Sequence, residues 1–373
     1  MMNTERLINE FLELVQIDSE TKYERRIADV LTEKFRSLGL SVYEDGAAEM
    51  TGHGAGNLIC TLEGAADAEP MYFTSHMDTV VPGKGVVPVR ENGMIRSDGT
   101  TVLGADDKAG LAAMLEAVKV LQEEGDVHGT VQFVITVGEE SGLVGARALK
   151  KSDIQASYGY ALDSDGKVGT LITAAPNQAK LNVVMNGKKA HAGVAPERGV
   201  SAIKVASEAI AAMPLGRIDA DTTANIGRIE GGGATNVVCD RVDIHAEARS
   251  LEKNKLTEQL RLMTDALNTS ADKYGVTADI ETTYVYPGFK HAPEDEIVNL
   301  AKKAVTAIGR SAEIKHSGGG SDANVIAGLG IPTMNLGVGY EEIHTTAEVI
   351  PEEELVKAAE LVVALIRTGA ENE

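Results

Sequence analysis

Five short stretches of this chain set histidines and carboxylates where a cation could collect them. His76-Met77-Asp78 follows the apolar run 71–75. Asp106 and Asp107 sit inside Gly104-Ala105-Asp106-Asp107-Lys108-Ala109-Gly110, where a helical pattern begins. Glu139 and Glu140 follow the apolar run 130–137, Asp163 follows 158–162, and His344 follows 333–336 after a longer loop. Imidazole nitrogens and carboxylate oxygens are the donors that zinc and its first-row neighbours accept. Each stretch also has a plainer use. His76 and Asp78 read as a surface turn pair, yet residues two apart on an extended chain face the same way, so Asp78 can hold the second ring nitrogen of a ligating His76. Acids complement the dipole at a helix start, which lets one of Asp106 and Asp107 cap while the other binds. Glu139 and Glu140 suit a solvated loop, but adjacent like charges behind a fully apolar strand are costly unless a cation is near. Asp163-Ser164-Asp165-Gly166 alone reads as a turn, and His344 alone is one of 8 histidines. What joins them is position. Open α/β sheets bind their ligands beyond the carboxyl ends of their strands, and His76, Glu139, Glu140, Asp163 and His344 all follow predicted strands. His53, His128, His245 and His291 read as ordinary histidines, and His316 stays open. Gly318-Gly319-Gly320 lacks the following Lys or the GxGxxG frame of a phosphate cradle.

The elements that must position these residues show in the hydrophobic pattern. Leu7, Ile8, Phe11, Leu12 and Val15 repeat at helical spacing, as do Tyr23, Ile27, Val30, Leu31, Phe35 and Leu38, with Gly39 as a cap. Residues 58–62, 71–75, 130–137 and 158–162 read as strands. A helix from about residue 108 to Gly125 carries Leu111, Met114, Leu115, Val118 and Leu121 on one face. Strands alternating with helices predict an α/β fold with a mixed, largely parallel sheet flanked by helices. Near Asn177 the pattern changes. Leu181, Val183 and Met185 alternate with polar residues, as do Val242, Ile244, Ala246 and Ala248. Helices fall at 201–213 and along Leu256, Leu260, Met263, Leu267 and Tyr274, with further strands at 224–229 and 278–285. This β-α-β-β-α-β order with one wet face predicts a ferredoxin-like α+β unit. After Pro287 the first pattern resumes: a helix over 296–308, the strand 333–336, and a closing helix that begins at Pro351 and is capped by Gly369. The expected domains are 1–177 with 290–373, and 178–289 inserted between them.

Composition narrows the partners. The 373 residues suit two domains at ~100–200 residues each. Lys and Arg number 35 against 56 Asp and Glu, a net charge of −21 that disfavours nucleic acid and anionic membrane surfaces. Cys60 and Cys239 are too few and too far apart for a thiolate zinc site. The opening residues lack a signal peptide's apolar stretch and no run approaches a membrane span, so the expected location is the cytoplasm.

His76-Met77-Asp78-Thr79-Val80, the Gly104–Gly110 motif, Glu139-Glu140, Asp163 and His344 occur in the order found in the co-catalytic di-zinc exopeptidases. That family includes peptidase T, carboxypeptidase G, aminoacylase and succinyl-diaminopimelate desuccinylase, and the chain resembles it over nearly its whole length. Gly99-Thr100-Thr101-Val102-Leu103-Gly104-Ala105-Asp106-Asp107-Lys108 is most similar to the peptidase T branch. The resemblance implies a zinc exopeptidase-like catalytic domain with the inserted unit as lid. His76, Asp106 and Asp163 would hold one Zn2+ and Asp106, Glu140 and His344 the other, with Asp106 bridging and a cis peptide between Asp106 and Asp107. Co2+ or Mn2+ are alternative metals. Asp78 would orient His76, Glu139 would be the general base, and His191 would steady the oxyanion. Asn236, Arg249 and the loop Gly319-Gly320-Ser321-Asp322 would contact substrate. Two such cations, ~3.5–4 Å apart, would share a hydroxide and polarise the scissile carbonyl. The implied activity is hydrolysis of short peptides by an aminopeptidase or tripeptidase. The same centre would serve an N-acyl-amino-acid deacylase. A binding protein that has lost catalysis is a third reading, against which the retained Glu139 speaks. A homodimer through the lid is the expected assembly where one forms.

Overall fold

The computed structural model describes residues 2–371. The chain divides into two compact units, one of Met1–Ala174, Lys290–Ser317 and Ser321–Glu373, the other of Ala175–Phe289 with Gly318–Gly320.

The first unit is built on a mixed sheet. Its strands run in the order Ser41–Glu44, Leu58–Leu62, Val131–Thr136, Met71–His76, Tyr158–Ser164, Thr333–Gly337, Thr170–Ala175. The four from Val131–Thr136 to Thr333–Gly337 are mutually parallel, and antiparallel pairs flank them. Every residue of Met71–His76 and Val131–Thr136 is buried, which is why these strands are apolar throughout instead of alternating. Phe73 stacks on Phe133 at 6.0 Å between ring centroids, and Phe133 on Phe35 of the helix Arg25–Ser37 at 5.6 Å. Such contacts add about 0.5–1.5 kcal/mol to area burial. The helix Ala105–Glu124 is buried along nearly its whole length, and the helices Thr4–Val15 and Glu352–Ala370 pack against it.

Three sequence expectations change in detail. The strand over 158–162 continues to Ser164, so Asp163 lies in its final residues and not beyond them. The closing helix does not stop at Gly369 but includes it. There a Cβ would stand 2.2 Å from Met71 Cε and 3.0 Å from the Tyr158 hydroxyl, so this glycine serves close packing and not a cap. The strand Thr170–Ala175 and the hairpin Pro88–Glu91 with Met94–Ser97 are additions to the predicted elements.

The second unit is an antiparallel sheet in the order Gly216–Arg217, Thr222–Gly231, Arg241–Ser250, Asn177–Asn186, Ala278–Tyr286. The chain order of its long strands and its helices Ala202–Ala212 and Lys253–Tyr274 is the β-α-β-β-α-β of a ferredoxin-like unit. Leu181, Val183, Met185, Val242 and Ile244 form one core with Leu256, Leu260, Met263 and Leu267 of the long helix. The intervening strand residues are less buried, as their alternation predicts.

Candidate metal centre

His76 ends the buried strand Met71–His76. Its Nδ1 lies 2.9 Å from the main-chain oxygen of Asp78. That contact assigns the ring proton to Nδ1 and leaves the Nε2 lone pair for a ligand. Nε2 lies 3.1 Å from Asp106 Oδ1 and 3.8 Å from Asp163 Oδ1. Asp106 Oδ2 lies 3.2 Å from His344 Nε2, which is 2.8 Å from Glu140 Oε1. The two oxygens of Asp106 thus reach two different imidazoles, the disposition a bridging carboxylate needs. The Asp106–Asp107 peptide is cis. Asp78 contributes differently from the simple spacing argument. Its carbonyl makes the close contact to His76, while its carboxylate, 3.5 Å from Nδ1, accepts the amides of Glu139 at 3.0 Å and Glu140 at 3.3 Å. One residue therefore ties the end of one strand to the turn after its parallel neighbour.

The electrostatics of the cluster call for cations. Burial pushes the carboxyls of Asp107, Glu139 and Asp163 well above the usual range; His76 opposes this and neighbouring carboxylates add to it. Burial also opposes ionisation of Asp106, but hydrogen bonds from His344 and His76 overrule it and hold this carboxyl low. Hydrogen bonds to Asp106 and Glu140 raise His344 to about 10. Among the described residues, no Lys or Arg forms an ion pair with Asp106, Asp107, Glu140 or Asp163. Both carboxylate oxygens of Asp107 and Oδ1 of Asp322 are buried without a hydrogen-bond partner. Buried carboxylates with no donor are a signature of cation sites. Two trios, His76 with Asp106 and Glu140, and His76 with Asp107 and Asp163, offer donor atoms that lie within 4.8 Å of one another. The donor set fits divalent metal ions. Asp107 is the surprise: fully buried, it faces the same space as His76 and Asp163, although the resemblance gives that place to Asp106.

Three further side chains hold this centre: Glu348, which goes unremarked in the sequence; Asp322, which the resemblance offers only as the end of a substrate-contact loop; and His53, which reads there as an ordinary histidine. Glu348 accepts the amides of Gly104 and Asp106. Asp322 accepts a hydrogen bond from the Thr136 hydroxyl at the end of the strand before Glu139. The buried ring of His53 meets Ser141 Oγ at 3.0 Å and lies so close to Gly138 that a Cβ there would be 2.5 Å from Nε2. The only sequence signal for these was polarity next to the motifs, because their partners are 88 to 244 residues away.

The remaining candidates are distributed between the units. In the second unit, His191 is exposed; its Nδ1 accepts the Gly193 amide at 3.2 Å, and its neighbour Ala192 donates to the Asn236 carbonyl at 2.9 Å. Arg249 is not a free fork. Glu247 takes Nε at 2.9 Å and Nη2 at 3.2 Å, and the Gly318 carbonyl takes Nη1 at 3.2 Å. Gly320 packs on Tyr286, whose ring would stand 2.3 Å from a Cβ; Gly319 lies beside it in the same unit. Ser321 belongs to the first unit and opens the helix Asp322–Gly328 in a capping box with Asn324. His316 ends an exposed strand.

Comparison with known proteins agrees with this geometry. Peptidase family M20/M25/M40 matches residues 72–368. The crystal structure of aminopeptidase PepT from Bacillus cereus ATCC 10987 is 63% identical, with 99% of each chain covered and a TM-score of 0.96. That of a tripeptidase from Staphylococcus aureus subsp. aureus Mu50 is 48% identical over 100% of both chains, with a TM-score of 0.97. Peptidase T of Geobacillus kaustophilus is 28% identical, covering 91% of this chain and 90% of its own. With its motifs, its sheet and its clustered ligand-type residues all of one kind, the chain belongs to peptidase family M20/M25/M40, on the peptidase T-like side of it, and is a hydrolase.

Proposed function

We propose that the chain is a di-zinc aminopeptidase that releases residues from the amino end of short peptides, tripeptides among them. The observation that carries this reading is the Asp106 carboxylate, set between His76 and His344 with Glu140 alongside. His76, Asp106 and Asp163 would hold one Zn2+, and Asp106, Glu140 and His344 the other. When bound, the cations supply Lewis acidity that acidifies a water and polarises the scissile carbonyl. The chain supplies the rest. Glu139 takes a proton from the attacking water and returns it to the leaving amine. Asp78 fixes His76 through its carbonyl and the Glu139-Glu140 turn through its carboxylate. The names of the PepT and tripeptidase relatives support a peptide substrate. Both cysteines are free, in keeping with a reducing, cytoplasmic setting. The test is hydrolysis of di-, tri- and N-acylated peptides by metal-stripped protein given back Zn2+, Co2+ or Mn2+. Cleavage restricted to N-acyl amino acids would make the protein a deacylase with the same centre. No hydrolysis of any of them by metal-loaded protein would favour a binding protein.

Two residues of the second unit belong to this reading. His191 is the proposed oxyanion donor, from its own chain or from a partner in a homodimer formed through this unit. His191→Ala is expected to lower kcat by about 10²–10³-fold with both metals retained. Mixing it with Glu139→Gln protomers restores activity if the histidine acts on the partner's site; full activity of His191→Ala alone would make it a surface residue. Arg249 is the proposed anchor for a substrate carboxylate. Glu247 engages Nε and Nη2 and the Gly318 carbonyl engages Nη1, so a substrate carboxylate would share the guanidinium with them. Arg249→Lys is expected to raise KM more for free-carboxylate peptides than for their C-terminal amides. Equal changes for both would remove carboxylate recognition from Arg249.

A further inference from the structure

Glu348 lies four residues beyond His344 and is buried, at 2% exposure. Its two oxygens have separate tasks. Oε2 accepts the Gly104 amide at 2.7 Å and Oε1 the Asp106 amide at 2.9 Å. These amides need an outside acceptor. Gly104 has φ +78°, and Asp106 (φ −81°, ψ 100°) stands outside the helical region at the head of Ala105–Glu124, so no preceding turn of helix offers them carbonyls. Gly104 is itself the N-cap and has no side chain to give. A carboxylate holding two amides forms charge-assisted hydrogen bonds, stronger than neutral ones.

The other end of this clamp is the loop that carries His344. Glu341 and Val349 close the loop at its base with a pair of backbone hydrogen bonds of 2.9 and 3.1 Å. Inside it, Glu342 and His344 hold φ values of +56° and +62°, left-handed conformations that non-glycine residues keep only where their surroundings impose them. The Glu348 amide donates to the Thr345 carbonyl at 3.2 Å, so the clamp residue is bonded to the residue next to His344. The same side chain thus grips the backbone of Asp106 while its main chain braces the turn of His344.

We propose that Glu348 is the positioning residue of the Asp106, Glu140 and His344 metal site, setting the Asp106 carboxylate and the His344 imidazole relative to each other. The proposal rests on the two-metal reading above. His76 and Asp163 make no hydrogen bond with Glu348 among the described residues, so the other site keeps two ligands that the clamp does not govern. In Glu348→Gln one oxygen remains an acceptor, while the new amide group turns N–H toward N–H. Metal-stripped wild-type and variant proteins are titrated with Zn2+ by calorimetry, and both are melted without metal. The expected result is one equivalent weakened by roughly 10–100-fold and the other, which shares only Asp106 with the clamped site, weakened clearly less. A merely structural role would lower the melting temperature but leave both affinities as they were, or weaken both alike, and either pattern overturns the proposal. If Glu348→Gln does not fold, Glu348→Asp, which keeps the charge but withdraws it by one methylene, is held to the same criterion. Wild-type protein that takes up fewer than two equivalents would sink the two-metal reading itself. Two tight equivalents in both wild type and variant would sink only the role of Glu348.

Discussion

Glu139→Gln is expected to lower kcat by about 10²–10⁴-fold while the protein keeps its full metal content. The two glutamates share a turn and a common anchor in Asp78, yet they differ in what they touch. Glu140 meets His344 at 2.8 Å, whereas Glu139 belongs to neither trio of ligand-type groups. Burial and nearby carboxylates raise the Glu139 carboxyl well above its ordinary value, against the pull of His76. A carboxylate so raised is a stronger base than an ordinary glutamate and takes the attacking water's proton more readily. The glutamine keeps the shape and removes the proton acceptor. Metal analysis beside single-turnover kinetics separates the two roles. Loss of metal from Glu139→Gln, with metal kept in Glu140→Gln, would exchange the assignments.

Removal of the metals by a chelator should abolish hydrolysis, and Zn2+ or Co2+ should restore it. Their return should also expel protons. In the metal-free protein His344 keeps its proton to about pH 10, because Asp106 and Glu140 hold the imidazolium. A ligating imidazole must be neutral, so uptake at neutral pH displaces that proton and affinity climbs as the pH rises toward 10. The stability of the metal-free protein runs the other way. A raised histidine stabilises the fold fully below its unfolded value of about 6.5 and loses this as pH rises through the folded value of about 10. Alkaline conditions thus weaken the empty fold where they favour the loaded one. Calorimetric heats in two buffers of different protonation enthalpy measure the release. Heats independent of buffer would take His344 out of the ligand set.

Much of the architecture is legible in the sequence because its central strands are buried on both faces. Runs such as 71–75 and 130–137 are apolar for that reason, and the second unit alternates because one face of its sheet is wet. Thr170–Ala175 escapes notice because Pro176 is all that separates it from the next strand, so the two read as one changing pattern. Gly369 is the position type of a helix cap, and only the proximity of Met71 and Tyr158 explains it as close packing. At the centre, residue type and order suffice to gather His76, Asp106, Glu140, Asp163 and His344. They do not reveal that Asp107 faces the same space, nor that Glu247 already holds Arg249. Both depend on how backbone turns aim side chains, which pattern and periodicity do not encode.

The sheet order has a consequence for how the protein is made. Tyr158–Ser164 and Thr170–Ala175 are separated by a short loop, yet they are not neighbours; Thr333–Gly337 lies between them. On the ribosome, a chain that has reached residue 330 still lacks the strand that fills the slot between these two. The whole second unit, Ala175–Phe289 with Gly318–Gly320, is translated before the strand Thr333–Gly337 that fills that slot. Open edges invite pairing with other chains, and the sheet stays incomplete until Thr333–Gly337 has been made. The helix Glu352–Ala370, which follows that strand in the chain, packs against Ala105–Glu124, the helix that carries Asp106. The strand that fills the slot thus comes from the same stretch of chain as His344, so closing the sheet and bringing that histidine to Asp106 fall to neighbouring residues.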